Sequence, residues 1–180
     1  MDNAELEKRL TVLQDIEAIK RLKAEYCDIC DDAHNQDRIV AIFAEDGIWE
    51  GKGLWRAQGH ADIRKLAKSF AERISFSQHN VFNPRIEVNG NAAHGRWNFL
   101  GPFTFRKGNR QIWLAAFYED DYVKVDGVWK FQHFRALVRM TAPYEEGWAS
   151  QTKVDVFSNY RRRRQPVHRP YPQRRRRSHR

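Results

Sequence analysis

Tyr26, Asp31 and His79 are the side chains of this sequence that could together move a proton. Histidine as a residue type titrates near neutral pH and is the natural general base there. A carboxylate hydrogen-bonded to one ring nitrogen fixes the tautomer and stabilises the imidazolium that forms. A tyrosine hydroxyl beside them could donate to a leaving hydroxyl or to a developing enolate. His79 stands in Ser77-Gln78-His79-Asn80-Val81, a polar patch on an otherwise apolar stretch. Asp31 closes an amphipathic helix, where the negative end of the dipole should raise its pKa. It lies about 140° around an ideal helix from Tyr26. The two converge only if the helix ends or bends there, and Asp31-Asp32 followed by His34-Asn35 marks such an end. Each residue has a plain structural reading as well: a core tyrosine, a solvated helix end, a histidine that only packs.

Two further groups could do chemistry. Arg139, between Val138 and Met140 on the last predicted strand, would suit a carboxylate or an oxyanion, or is an edge-strand charge. Cys27, Cys30 and His34 share one helical face, so a metal site is conceivable, but no second ligand pair lies nearby. The strand–CxxC–helix context of a redox motif is also missing, so the expectation is packed free thiols and no metal.

The elements that must position these residues follow from hydrophobic period. Leu6, Leu10, Leu13, Ile16, Ile19, Leu22, Tyr26 and Ile29 form one helical stripe, with a break conceivable near Thr11. A short helix capped by Asn35 or Asp37 carries Ile39, Val40, Ile42 and Phe43. Ile48-Trp49-Glu50 reads as a short strand between turns, and Gly59 introduces a third helix over about residues 61–73. The period then changes. Phe76 to Val88 reads as one strand bent at Pro84, and residues 93–106 alternate with Trp97, Phe99, Gly101 and Phe103 on one face. Residues 111–125 and 128–140 complete an antiparallel meander. Three helices on a curved antiparallel sheet give an α+β layer wrapped into a cone. Trp49, Trp55, Trp97, Phe99, Trp113 and Phe117 would line its interior as pocket or as plain core.

The formal charge of +9 belongs to the C-terminus: Arg161 to Arg180 holds ten arginines and no acid, and without them 22 basic residues face 23 acidic ones. The sequence therefore divides into a domain over 1–158 and an Arg-rich tail over 159–180, expected to be disordered. Clustered arginine can bind phosphate, so contact with nucleic acid is one reading of the tail, and a solvated appendage is the expected one. No apolar run is long enough to cross a bilayer and no signal-peptide pattern is present, which makes a cytoplasmic protein the expectation.

The order of Asp15-Ile16-Glu17-Ala18-Ile19-Lys20, Leu22-Lys23, Tyr26, Asp31, Phe43-Ala44-Glu45-Asp46-Gly47, Gly59, His79, Gly95-Arg96-Trp97 and Val125-Asp126-Gly127-Val128-Trp129 resembles SnoaL-like proteins of the NTF2-like superfamily. It is most similar to the bile acid 7α-dehydratase type, over roughly residues 5 to 140. The resemblance implies an α+β cone with an apolar pocket, no cofactor and a homo-oligomer, a dimer or trimer. It places catalytic roles on Tyr26, Asp31 and His79 and a substrate-binding role on Arg139. Trp49, Trp97, Phe99, Gly101 and Phe117 are the expected pocket lining. At Gly101 the sequence departs from that type, which has an aspartate there. The pocket should have lost a carboxylate and gained room, which points to a substrate other than a bile acid. The resulting expectation is a cofactor-independent lyase, a dehydratase acting on an apolar cyclic, steroid- or polyketide-like substrate. Isomerase or cyclase chemistry, or a non-catalytic ligand-binding or assembly module such as the small subunits of ring-hydroxylating dioxygenases, are the alternatives.

Overall fold

Asp2 opens helix α1 (Asn3–Asp31): its side chain accepts from the Glu5 amide at 2.8 Å, and Glu5 adds negative charge where the helix dipole favours it. The computed structural model describes residues 2–149, so the boundary expected at 158 and the Arg-rich tail fall outside the described residues. The helix runs through Thr11 without a break. Its apolar stripe meets the rest of the domain only along the C-terminal half: Ile19, Leu22, Tyr26 and Ile29 are buried, whereas Leu6, Leu10 and Leu13 are exposed. The helix stops at Asp31. Ala33 and His34 both take left-handed backbone angles, φ 52° and 53°, and turn the chain sharply. The Asn35 side chain then accepts from the amides of Asp37 and Arg38 and caps α2 (Gln36–Ala41).

Phe43, expected on that helix, instead begins β1 (Phe43–Gly51), which turns back as β2 (Trp55–Gln58). Helix α3 (Gly59–Arg73) follows and buries Ile63, Ala67 and Phe70. Four further segments, β3 (Ile74–Ser77), β4 (Asn80–Asn89), β5 (Ala92–Phe105) and β6 (Arg110–Val125), lead to β7 (Val128–Pro143). The seven strands run in the order β2-β1-β7-β6-β5-β3, with β4 also pairing β5. The sheet is mixed: β1 lies parallel to β7, a long-range pairing that alternation alone does not reveal. Register shifts in the β6–β7 ladder, at Ala115/Ala116 and Asp121/Tyr122, bend the sheet around the helices. The result is the cone of NTF2-like folds. Among the described residues, no helix is long and apolar enough to cross a membrane.

The stretch expected as one strand over 76–88 is two strands with a break at Gln78-His79. β3 pairs with the Phe103–Phe105 end of β5, and β4 pairs with the rest. A bulge between Phe82 and Arg85, with Asn83 at φ 54°, supplies the bend expected near Pro84.

Two polar anchors fix α1 inside the cone. Asp15 accepts from the Trp129 indole at 2.9 Å and pairs with Lys124 at 2.6 Å. Deeper in, Lys23 and Asp120 form an ion pair of 2.7 Å whose side chains are both 0% exposed. The ammonium sits 4.3 Å from the Tyr118 ring centre and 4.4 Å from that of Phe134. The same Asp120 oxygen accepts from the Tyr122 hydroxyl, which in turn accepts from the Trp97 indole. Burial pushes the Lys23 pKa down and the Asp120 pKa up, with the partner charge opposing each shift.

Candidate active site

The break between β3 and β4 turns His79 into the cone, where Asp31 holds it twice. One carboxylate oxygen lies 2.6 Å from the ring Nδ1, and the other accepts from the His79 backbone amide at 2.7 Å. The pairing commits Nδ1 to the carboxylate and leaves Nε2 for chemistry. Burial alone would raise the Asp31 pKa. The hydrogen bonds and charge of His79, with help from Ser77, outweigh it and hold the carboxyl below its usual value. The rise expected from the helix terminus is therefore reversed. Ser77 also donates to the Cys30 carbonyl at 3.2 Å, which ties β3 to the last turn of α1.

Tyr26 meets this pair through His79 rather than through Asp31. Its ring stands edge-on to the imidazole, centres 6.2 Å apart. The Tyr26 hydroxyl accepts from the Trp49 indole at 3.3 Å, and the ring stacks on Phe134. Burial, reinforced by Cys30 and Tyr118, raises its pKa well above the ordinary phenol value, so it stays a protonated donor.

Tyr26, Trp49 and His79 line an inner cavity of about 70 Å³ with Trp55, Phe70 and Phe103, and His34 lines it too. Ile74, Leu114 and Val138, all part-exposed, also line it. In the sequence His34 stands out as the third member of the Cys27-Cys30-His34 pattern and as part of the helix-ending His34-Asn35. Its pocket position follows from the two left-handed residues after α1, which no periodicity announces. The two thiols are buried and free, and burial pushes the Cys27 pKa to about 12, so it is not a thiolate at neutral pH. Among the described residues, no group of three or more His, Cys, Asp or Glu side chains could hold a metal ion.

Several expected lining residues lie elsewhere. Phe117 and Arg139 are on the outer face of the sheet. The Arg139 guanidinium covers the Phe117 ring at 4.6 Å and Arg96 covers it at 4.2 Å, and Arg139 is exposed. Phe117 falls between the inward Ala116 and Tyr118 on a strand that buries Ile112 and Tyr122 in the same alternation, and Arg139 is the extra residue of the β7 bulge opposite Ala115 and Ala116. Trp113, opposite the outward Pro102, also points away. Trp97 is inside but serves the Lys23–Asp120 network beneath the cavity. Phe99 backs the imidazole of His79, ring centres 5.2 Å apart, and stacks on Tyr118. Gly101 faces inward, yet the room expected there is filled: a Cβ would overlap the Gln78 carbonyl oxygen and stand 2.9 Å from Phe99 Cζ. Gly101 is the close approach that lets the edge strand break before His79.

A larger hollow of about 850 Å³ lies between α1, Ile42 and the β6–β7 turn. It has no histidine, and two of its carboxylates are engaged, Asp15 with Trp129 and Lys124 and Glu17 with Lys20. The acid–base groups belong to the inner cavity.

Residues 11–135 match the sequence profile of the SnoaL-like domain. A gamma-hexachlorocyclohexane dehydrochlorinase from Sphingobium indicum is 28% identical over 118 residues, spanning 62% of this chain and 73% of that protein. The crystal structure of a type 2 hexachlorocyclohexane dehydrochlorinase superposes with a TM-score of 0.70 at 26% identity, covering 75% of this chain and 92% of the other. A scytalone dehydratase candidate from Novosphingobium aromaticivorans gives 0.69 at 27% identity, covering 74% and 90%.

Proposed function

We propose a function from one established premise: the chain belongs to the SnoaL-like domain family. On our reading it is a cofactor-independent lyase that eliminates water from a small cyclic substrate. The observation that carries this is the double hold of Asp31 on His79 at the wall of an apolar cavity. A non-catalytic binding module has no need for that contact. The dehydrochlorinase relatives support elimination as the reaction type.

In this mechanism the free His79 nitrogen takes a proton from a ring carbon next to a carbonyl. The C–H electron pair becomes the new double bond as the neighbouring C–O bond breaks. Asp31 stabilises the imidazolium, which returns its proton to the departing hydroxide, so that water leaves and His79 is neutral again. Tyr26, with its raised pKa, acts as a hydrogen-bond donor to the developing oxyanion rather than as the proton source. The cavity of about 70 Å³ is smaller than the ~150 Å³ that takes a benzene molecule, which favours a substrate of a single ring over a steroid nucleus.

Loss of water from 3-hydroxycyclohexanone, read as cyclohex-2-enone absorbance, tests the proposal, with chloride release from gamma-hexachlorocyclohexane run in parallel. His79→Ala and Asp31→Asn should each cost at least about 10²-fold in turnover without a change of fold. Near-normal activity in both variants would end the mechanism.

A further inference from the structure

The cavity holds a second histidine. His34 is 4% exposed, lines the cavity, and has no hydrogen bond or ion pair among the described residues. Its ring centre lies 6.3 Å from that of His79, with the planes 75° apart, and 5.4 Å from Phe70. A buried polar side chain ordinarily finds a partner. Neither His34 ring nitrogen is sealed off without a partner, since among the described residues that holds of Asp120 Oδ1, so the imidazole's donor and acceptor are open to what enters the cavity. The backbone holds His34 in this place at φ 53°, directly after Ala33 at φ 52°. Such residues persist only where the surroundings fix them, and they cluster at ligand sites.

We infer that His34 is a substrate-binding residue whose neutral imidazole hydrogen-bonds an oxygen of the substrate ring, so that the site takes cyclic ketones and alcohols in preference to hydrocarbons of the same shape. The inference rests on the lyase reading for its setting, but it concerns binding rather than turnover. The two histidines divide the work. Burial, with the neighbouring His79 charge, lowers the His34 pKa to about 3, so His34 stays neutral when His79 takes up a proton. A neutral imidazole keeps one N–H to donate to a carbonyl oxygen, the group that acidifies the adjacent C–H bond. The pocket would then bind the oxygen through His34 and present the neighbouring carbon to His79.

Cyclohexanone and its oxygen-free isostere methylenecyclohexane separate this role from packing. Binding of each to wild type, His34→Leu and His34→Gln would be measured by NMR titration. His34→Leu should weaken cyclohexanone by about three- to tenfold, the worth of a single hydrogen bond, and leave methylenecyclohexane unchanged. His34→Gln, which keeps a donor and an acceptor, should recover most of the loss. Equal losses for both ligands, no loss in His34→Leu, or no binding of cyclohexanone to wild type would each overturn the inference. The lyase reading fails separately, through retained turnover in His79→Ala, and that result leaves the binding comparison intact.

Discussion

Gly101→Ala is the substitution that most directly tests how the site is built. The added methyl would overlap the Gln78 carbonyl oxygen and crowd Phe99 Cζ at 2.9 Å. The Gln78 oxygen is backbone, and its peptide is tied to β5 by the Gln78 amide donating to the Pro102 carbonyl at 3.2 Å, so it has little freedom to yield. Overpacking of this kind costs about 1–3 kcal/mol, and each kcal/mol lowers the melting temperature by about 2–4 °C at this chain length. The larger effect should fall on chemistry, because the residue displaced is the one before His79. A misplacement of about 1 Å can cost about 10²-fold in rate, equal to ~2.7 kcal/mol of transition-state stabilisation. The assay pairs kcat/KM on 3-hydroxycyclohexanone with a thermal melt of the same preparation. Activity should fall much further than stability. A variant with kcat/KM within twofold of wild type and an unchanged melt would refute the claim that Gly101 is reserved for Gln78.

Lys23→Ala should destabilise by about 3–5 kcal/mol, because it leaves the buried Asp120 without its counter-charge. Lys23→Met combined with Asp120→Leu should recover most of that in denaturant melts. For pH, the sign follows from His34. Its folded pKa of about 3 lies below the ordinary histidine value of 6.5, so between those values the unfolded chain binds more protons. Stability should fall as pH drops through that window, by up to about 1.4 kcal/mol per unit, and His34→Gln should flatten the slope. Asp31, with its depressed pKa, adds a loss in the same direction at the acid end, as pH falls below the usual aspartate range. Asp31→Asn should remove that part.

The cone was legible because its elements carry strong periods: the Ile19-Leu22-Tyr26-Ile29 stripe and the Trp97-Phe99-Gly101-Phe103 alternation both correspond to buried faces. Asp15 and Trp129, read as widely separated motif residues, are one hydrogen bond in space. Phe117 suggests a lining residue by its aromatic type alone, yet β6 buries Ile112, Ala116, Tyr118, Asp120 and Tyr122 and leaves Phe117 on the other face. Arg139 is the extra residue of a bulge in β7, between Val138 paired with Ala116 and Met140 paired with Ala115, and no local pattern encodes that bulge. Gly101 read as empty space because the chain that fills it comes from a different strand. Lys23 was recoverable in principle. It stands four residues after Ile19 and three before Tyr26, on the buried face, where a lysine demands a partner.

The two anchors of α1 have a consequence for how the protein is made. Lys23 finds Asp120 across 97 positions, and Asp15 finds Trp129 across 114. Helix α1 leaves the ribosome well before β6 and β7, the strands that hold these partners. At about 5–20 residues per second, its apolar side and its unpaired lysine wait roughly 5 to 20 s for β6 and β7 to emerge. During that interval the apolar side of the helix has no strands to cover it. The step that closes the cone is then the arrival of its final two strands.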